Sequence, residues 1–433
     1  MTASIQRVRS RLSGGGQGRA HRIGWSTIVE LSQLASSVLV FLILARQLHP
    51  DDYGALGAVL GVAMPAATLA SLGSHVLLIK RIAQGGDFTD AWQRATSIGM
   101  IGPAAGAVVL VAAKPLILPQ VSTTVYTLLV VSQVNFFWLT ELAVYVGNAT
   151  RNLKAAAQIR LMVVATRFAA LAVFATLTPG RLVDWAVASV ASFALGAALA
   201  LVHVWRVFGA RPSLRRGSAA DVREGLPFSA NAVTESLVDI SDRPLLFRYG
   251  HETDAGIYTL GGRIIQFGYL PIRILLRTVD ADLFAAGRNG AAPALAVTRR
   301  LLKPAVAVGL AAGAAAFVCA SMVPWLVGDE YRPAVETIRL LAPMPAIRAV
   351  QYLMGNCLSA SGQQRWRLIL TVAAGMLNLG LNLVLLPNGS WRTAVGTTFV
   401  SELFLTTALT AVALGSARDR PAPHPTQPGG PHR

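Results

Sequence analysis

The chain has 433 residues, 53% hydrophobic and only 14% charged, with a formal net charge of +17 and a mean hydropathy of +0.52. Soluble domains carry roughly a quarter charged residues, so the composition excludes a large soluble domain and describes a chain built for a bilayer. Two cysteines, Cys319 and Cys357, seven scattered histidines and the lack of a Gly-x-x-x-x-Gly-Lys-Ser/Thr loop leave no disulfide framework, no metal-ligand set and no nucleotide site to read.

Residues 1–23, "MTASIQRVRSRLSGGGQGRAHRI", have neither an apolar core nor a small-residue cleavage site, and read as a disordered basic tail. About twelve apolar segments follow, roughly 24–45, 55–79, 96–113, 122–146, 158–178, 182–204, 225–248, 256–283, 304–327, 334–358, 366–386 and 393–415. Each is close to the length that crosses about 30 Å of hydrocarbon as a helix. A polar linker, 205–224, separates segments 6 and 7, and 416–433, rich in Pro, Gly and His, reads as a second disordered tail. With the N-terminus inside, 25 of the 38 lysines and arginines fall in the tails and even-numbered loops, 6 in or beside the odd-numbered loops and 7 within segments. That asymmetry predicts cytoplasmic termini and a cytoplasmic 205–224 linker. It also assigns the excess charge to topology and anionic membrane lipids rather than to nucleic acid.

The loop after segment 1, "LARQLHPDDYGAL" (44–56), is echoed after segment 7 by "LFRYGHETDAGIY" (246–258). An offset of 202 aligns Arg46 with Arg248, His49 with His251, Asp52 with Asp254 and Gly54 with Gly256. A second echo, "VGNAT" (146–150) and "MGNCL" (354–358), lies at offset 208. Two echoes at nearly one offset predict duplication. The parts are an N-lobe over 24–204 and a C-lobe over 225–415, six helices each, related as parallel repeats.

The stretch "ARQLHPDDYGALGAVLGVAMPAATLASLGSHVLLIKRIA" resembles the opening of the polysaccharide biosynthesis flippases, O-antigen-type members of the multidrug/oligosaccharidyl-lipid/polysaccharide exporter superfamily. The resemblance continues through "DISDRPLLFRYGHETDAGIYTLGGRI", "VGDEYRPAVETIRLLAP", "GNCLSASGQQRWRL" and "LNLVLLPNGSWRTAVGT". It implies an all-α polytopic membrane protein of two six-helix lobes around a central cavity lined mainly by helices 1, 2, 7 and 8. The second hinge departs from the pattern in lacking the proline found at Pro50.

Charges inside membrane segments are costly and mark function by default. Segment 8 carries Arg263, Gln266, Arg273 and Arg277 on one helical face, and segment 7 carries Asn231, Glu235, Asp239 and Asp242 as a second stripe. Two readings stand side by side. Arg263 pairs with Asp242 or Asp239, and Arg243 with Asp239, as helix ties; or the arginines, Arg273 and Arg277 above all, grip substrate phosphate through bidentate hydrogen bonds. Gln266 and Asn231 are expected beside them as substrate contacts, and Glu30, Glu235, Asp239 and Asp242 as coupling or gating groups. Pro271 should kink helix 8 and free a backbone carbonyl. Glu141 and Glu402 are expected in internal bonds, while Arg167, Arg339 and Arg348 remain open between cavity and packing roles.

The expected function is a flippase, not an enzyme, that moves a polyprenyl-diphosphate-linked oligosaccharide or related glycolipid across the bacterial cytoplasmic membrane. A proton- or cation-coupled multidrug or small-metabolite exporter of the same fold is the alternative. Expected partners are the lipid-linked saccharide and membrane lipids. Coupling to protons or sodium, and work alongside a polysaccharide polymerase and glycosyltransferases, stay open; no cofactor or metal is expected.

Overall fold

The computed structural model describes residues 36–178 and 180–418, with the side chains of residues 231, 234–240, 277, 278 and 281 outside the description. Among the described residues every regular element is a helix. In chain order they are α1 (Ser36–Gln47), α2 (Pro50–Ala83), α3 (Phe88–Ile117), α4 (Thr123–Ala149), α5 (Leu153–Leu177), α6 (Leu182–Phe208), α7 (219–248), α8 (252–287), α9 (Ala291–Val327), α10 (333–360), α11 (Gln364–Asn388) and α12 (Trp391–Arg418). Eight of them, α2–α6, α9, α11 and α12, are long and apolar enough to cross a membrane. The other long ones are interrupted: α7 at Ser241, α8 at Tyr269 and α10 at Ala342–Pro343. Each apolar segment read from the sequence falls, over its described residues, on one of these helices; residues 24–35 of the first lie outside the description, and the helices overrun the segments at their charged ends. Lys303, Arg300 and Arg299, for example, lie on α9 ahead of its apolar run.

Contacts divide the chain into two compact units, one running to Gly256 and including 326–328, the other comprising 257–325 and 329 onward. The division falls after α7, later than the 205–224 linker. α7 packs on α2, and the residues that tie it there are described below.

In the first unit the core is dominated by small residues around a few large ones. Trp92, Leu142 and Ile159 are fully buried among Ala91, Ala95, Ala143, Ala156, Ala197 and Ala200. Lipid tails are as apolar as the core, so such helices gain from close contact rather than from escape from water. Gly102 and Gly106, in the run "AAGAVVLVAA" and just before it, bring α3 against Ala70 of α2 so closely that a Cβ at Gly106 would stand 2.7 Å from the Ala70 methyl. In the second unit Gly309 does the same for α9 against α10, with Ala346 Cα 2.6 Å from a would-be Cβ. The second unit also buries a polar ladder. Asn378 donates to Ser401 at 2.9 Å, Asn382 to Asn378 at 2.9 Å, and Thr397 to Asn382 at 2.6 Å. The bonds close among themselves, as buried polar groups require.

Candidate functional site

α8 ends its first half at Gly268 and restarts at Leu270, with Pro271 in the new first turn, where its missing N–H is no loss. The Tyr269 N–H still donates to the Gln266 carbonyl at 3.2 Å and the Arg273 N–H to Tyr269 at 3.0 Å, so the break is a tightened turn rather than a gap. Arg263 donates to the Gln266 side chain at 3.3 Å before the break, and Arg273 follows it. Both arginines are exposed. Arg273 has no ion pair among the described residues. Behind the break the Arg348 guanidinium lies 5.8 Å from the Tyr269 ring and bonds the Glu402 carboxylate. Gln351 donates to the Glu402 carbonyl at 2.9 Å and to Thr406 at 3.0 Å. Glu402, only 3% exposed, is therefore an internal partner, and Arg348 serves packing of the second unit.

In the first unit Asp242 and Arg243 sit at the α7 irregularity, both buried. Asp242 accepts the backbone N–H of Arg243 at 3.0 Å, and the Arg243 Nε has no partner among the described residues. The side chains of Asn231, Glu235, Asp239 and Arg277 lie outside the description, although their helices are within it, and Glu30 lies outside the described residues altogether. The expected pairing of Arg243 with Asp239 therefore has no described counterpart.

Several first-unit features were not foreseen. α2 is broken at Leu72 and Gly73, which adopt positive φ of 50° and 68°. The freed Gly73 N–H donates to the Ser229 hydroxyl at 2.6 Å, with Ser71 3.3 Å from the same oxygen. Gly225 sits against the Leu72 carbonyl with no room for a Cβ. One turn before Gly225, Asp221 collects the Arg81 guanidinium, Arg94 at 3.4 Å, and the Ser218 hydroxyl and N–H at 2.8 and 3.0 Å. Asp221 lies before the apolar run that starts at residue 225. Burial pushes its carboxyl up, but the bonds from Ser218 and Arg81 outweigh that and hold it below the usual 3.8. The only sequence signal was Ser218-x-x-Asp221, a helix-capping pattern.

The two hinges that echo each other in sequence also meet within this unit. A Cβ on Gly54 would strike the Glu252 carbonyl and lie 2.9 Å from the Gly256 nitrogen, and one on Gly256 would strike the Pro50 carbonyl. Neither glycine has positive φ. Their need for no side chain comes from helix-to-helix contact, not from a tight turn. Arg248 of the second hinge caps α3 by donating to the Leu116 and Ile117 carbonyls. Elsewhere Glu141 pairs with Arg160, Arg167 lies over Phe193 and Arg339 over Phe317.

Apolar spans with interrupted, charge-bearing helices among them define a multi-pass membrane protein. The chain belongs to the polysaccharide biosynthesis protein family, whose sequence model matches residues 21–272. No curated protein matches it. Among solved structures it is similar to an inward-facing multidrug-resistance MATE family transporter of the MOP superfamily, at 16% identity, TM-score 0.72, over 89% of this chain and 95% of that one. It is similar to the lipid II flippase MurJ in an inward closed conformation, at 10% identity, TM-score 0.63, over 90% and 87%. A third is a MOP superfamily transporter from Pyrococcus furiosus, at 13% identity, TM-score 0.62, over 91% and 96%. The all-helical fold is the one these three structures share.

Proposed function

We propose that the chain flips a polyprenyl-diphosphate-linked oligosaccharide, or a closely related glycolipid, across the bacterial cytoplasmic membrane by alternating access. One observation carries this reading: Arg273 follows the α8 break, exposed and without an ion pair among the described residues, in a helix that the family resemblance puts at the cavity. A guanidinium in a membrane is expensive unless something anionic visits it. A diphosphate offers two such sites in bidentate geometry, while a cationic drug would be repelled. Membership of the polysaccharide biosynthesis family supports the same cargo.

In this mechanism Arg273 and Arg277 hold the diphosphate on loading, with Gln266 and Asn231 on cargo hydroxyls. Glu235 competes for Arg273 once cargo leaves, which eases the return of the empty carrier. Glu30, Asp239 and Asp242 couple that return to protons or sodium. The test is a glycolipid-translocation or complementation assay normalised to inserted protein. Arg273→Ala with Arg277→Ala should lower translocation at least about tenfold, the scale of one lost charge-assisted contact. Glu235→Gln should slow turnover more than cargo binding. Near-normal translocation by the well-expressed double variant sinks the proposal. Orientation is tested separately in single-cysteine variants that lack Cys319 and Cys357: an impermeant thiol reagent added outside should label Asp329→Cys, in an exposed loop, and miss Ala220→Cys at the exposed start of α7. The reverse pattern overturns the cytoplasmic placement of the termini.

A further inference from the structure

In the second unit a cavity of about 260 Å³ opens between the first turns of α9 and the last turns of α12. Leu295, Ala296, Leu414 and Ala417 give it apolar walls, and Arg299 and Arg418 stand on it. Neither arginine has an ion pair among the described residues. The same helix ends carry further cations: Arg300 and Lys303 on α9, and Arg365 at the start of α11, all exposed. α11 is tied to this corner by the Ser416 hydroxyl, which donates to the Gln363 side chain at 2.7 Å. Trp366 of α11, 51% exposed, is an amphipathic ring of the kind that settles at headgroup depth.

An apolar slot crowned by two guanidinium groups at membrane-helix ends, neither in an ion pair among the described residues, has a definite chemical complement. It requires one negative charge joined to a hydrocarbon chain. We propose that this cavity is a binding site for an anionic phospholipid of the adjoining leaflet. The phosphate sits between Arg299 and Arg418 and the first methylenes of an acyl chain lie along Leu295 and Leu414. Basic pockets between helices at a membrane surface favour anionic headgroups in this way. A free inorganic anion leaves the apolar walls unused, and a zwitterionic lipid sets its own ammonium against two arginines. The site uses no residue assigned to cargo, so it stands or falls separately from the transport reading.

The test is native mass spectrometry of the full-length protein titrated with phosphatidylglycerol or phosphatidylcholine. One phosphatidylglycerol should be retained saturably, in preference to phosphatidylcholine, and inorganic phosphate should not displace it. Arg299→Gln with Arg418→Gln should weaken retention by about tenfold or more. Ala296→Trp, which keeps both charges but fills the slot, should do the same. Both cations and Ala296 are exposed, so neither variant disturbs the core. Equal retention of the two lipids, or unchanged affinity in both variants, reduces the bound lipid to a nonspecific shell and overturns the proposal. Displacement by inorganic phosphate overturns the lipid as occupant, and so does a change in oligomeric state in place of lipid loss.

Discussion

The two helices that follow the echoed hinges, α2 and α8, are both broken part-way along, and the breaks are built differently. In α2 the chain turns through left-handed Leu72 and Gly73, and a neighbour answers the exposed backbone at once: Ser229 takes the Gly73 N–H and Gly225 packs on the Leu72 carbonyl. In α8 no residue at the break leaves the right-handed region; the helix tightens through Tyr269 and resumes at Leu270–Pro271, with an exposed arginine on either side. One break is closed by packing and buried polar bonds. The other is backed by Arg348 and Glu402 on its inner side and open where its charges lie. A break can therefore be a fixed joint or a working surface, and the side chains around it decide which.

The most severe way to test the contrast is Gly225→Val. Its side chain has to displace the Leu72 backbone, and overpacking of that kind should cost more than about 3 kcal/mol. Almost no monodisperse protein should survive detergent extraction, whereas Gly250→Asn, at positive φ but with open space around it, should extract normally. At the α8 break the expected effect is on transport and not on yield. Arg273→Lys keeps the charge but loses the planar fork. Normalised translocation should fall between wild type and Arg273→Ala, with extraction unchanged. Ser229→Ala leaves the Gly73 N–H buried without a partner, which should cost about 1–3 kcal/mol. Thermal unfolding should register it while translocation at low temperature stays near normal; a large transport loss at unchanged stability would make the α2 break a working part after all.

The smallest effect at neutral pH concerns Asp221, which anchors the foot of the same joint. Its folded carboxyl titrates below the usual 3.8, so its stabilisation is complete above that value and disappears as pH falls through the lower, folded one. The groups facing it are Arg81 and Arg94, with Asp90 and Glu224 beyond them. Asp221→Asn should thus be less stable than wild type near pH 7, and the gap should close below about pH 4. A gap that stays constant to acid pH would show that the carboxylate charge contributes nothing.

The extent to which the sequence announced this molecule follows from which interactions are local. Apolar runs specify helices wherever the chain must cross hydrocarbon, so the spans from α2 to α12 were legible to within a few residues except where charged ends extend them. The Arg263–Gln266 pair was legible because three residues make nearly one helical turn, and the α8 irregularity because Pro271 signals a kink. The α2 break was not: Gly73 in an apolar run also fits simple close packing, and Leu72 carries no mark of a left-handed residue. The Asp221 corner joins residues 81, 94, 218 and 221, and no periodicity links them. The hinge glycines were legible as positions but not in their cause, since neither sequence reveals that its echo lies against it.

That contact carries a consequence of its own. Gly54 and Gly256 bring the opening turns of α2 and α8 together, and the opening turn of a helix is its positive pole, equivalent to about half a unit charge. Two like poles are thereby held at van der Waals distance. The first turns carry Asp51 and Asp52 on one side, Glu252 and Asp254 on the other, and Thr253 donates across to Asp51. These four carboxylates supply the counter-charge that lets the poles touch. Asp52 and Asp254 recur at the same offset as the glycines: each hinge holds both the space for contact and the charge that permits it.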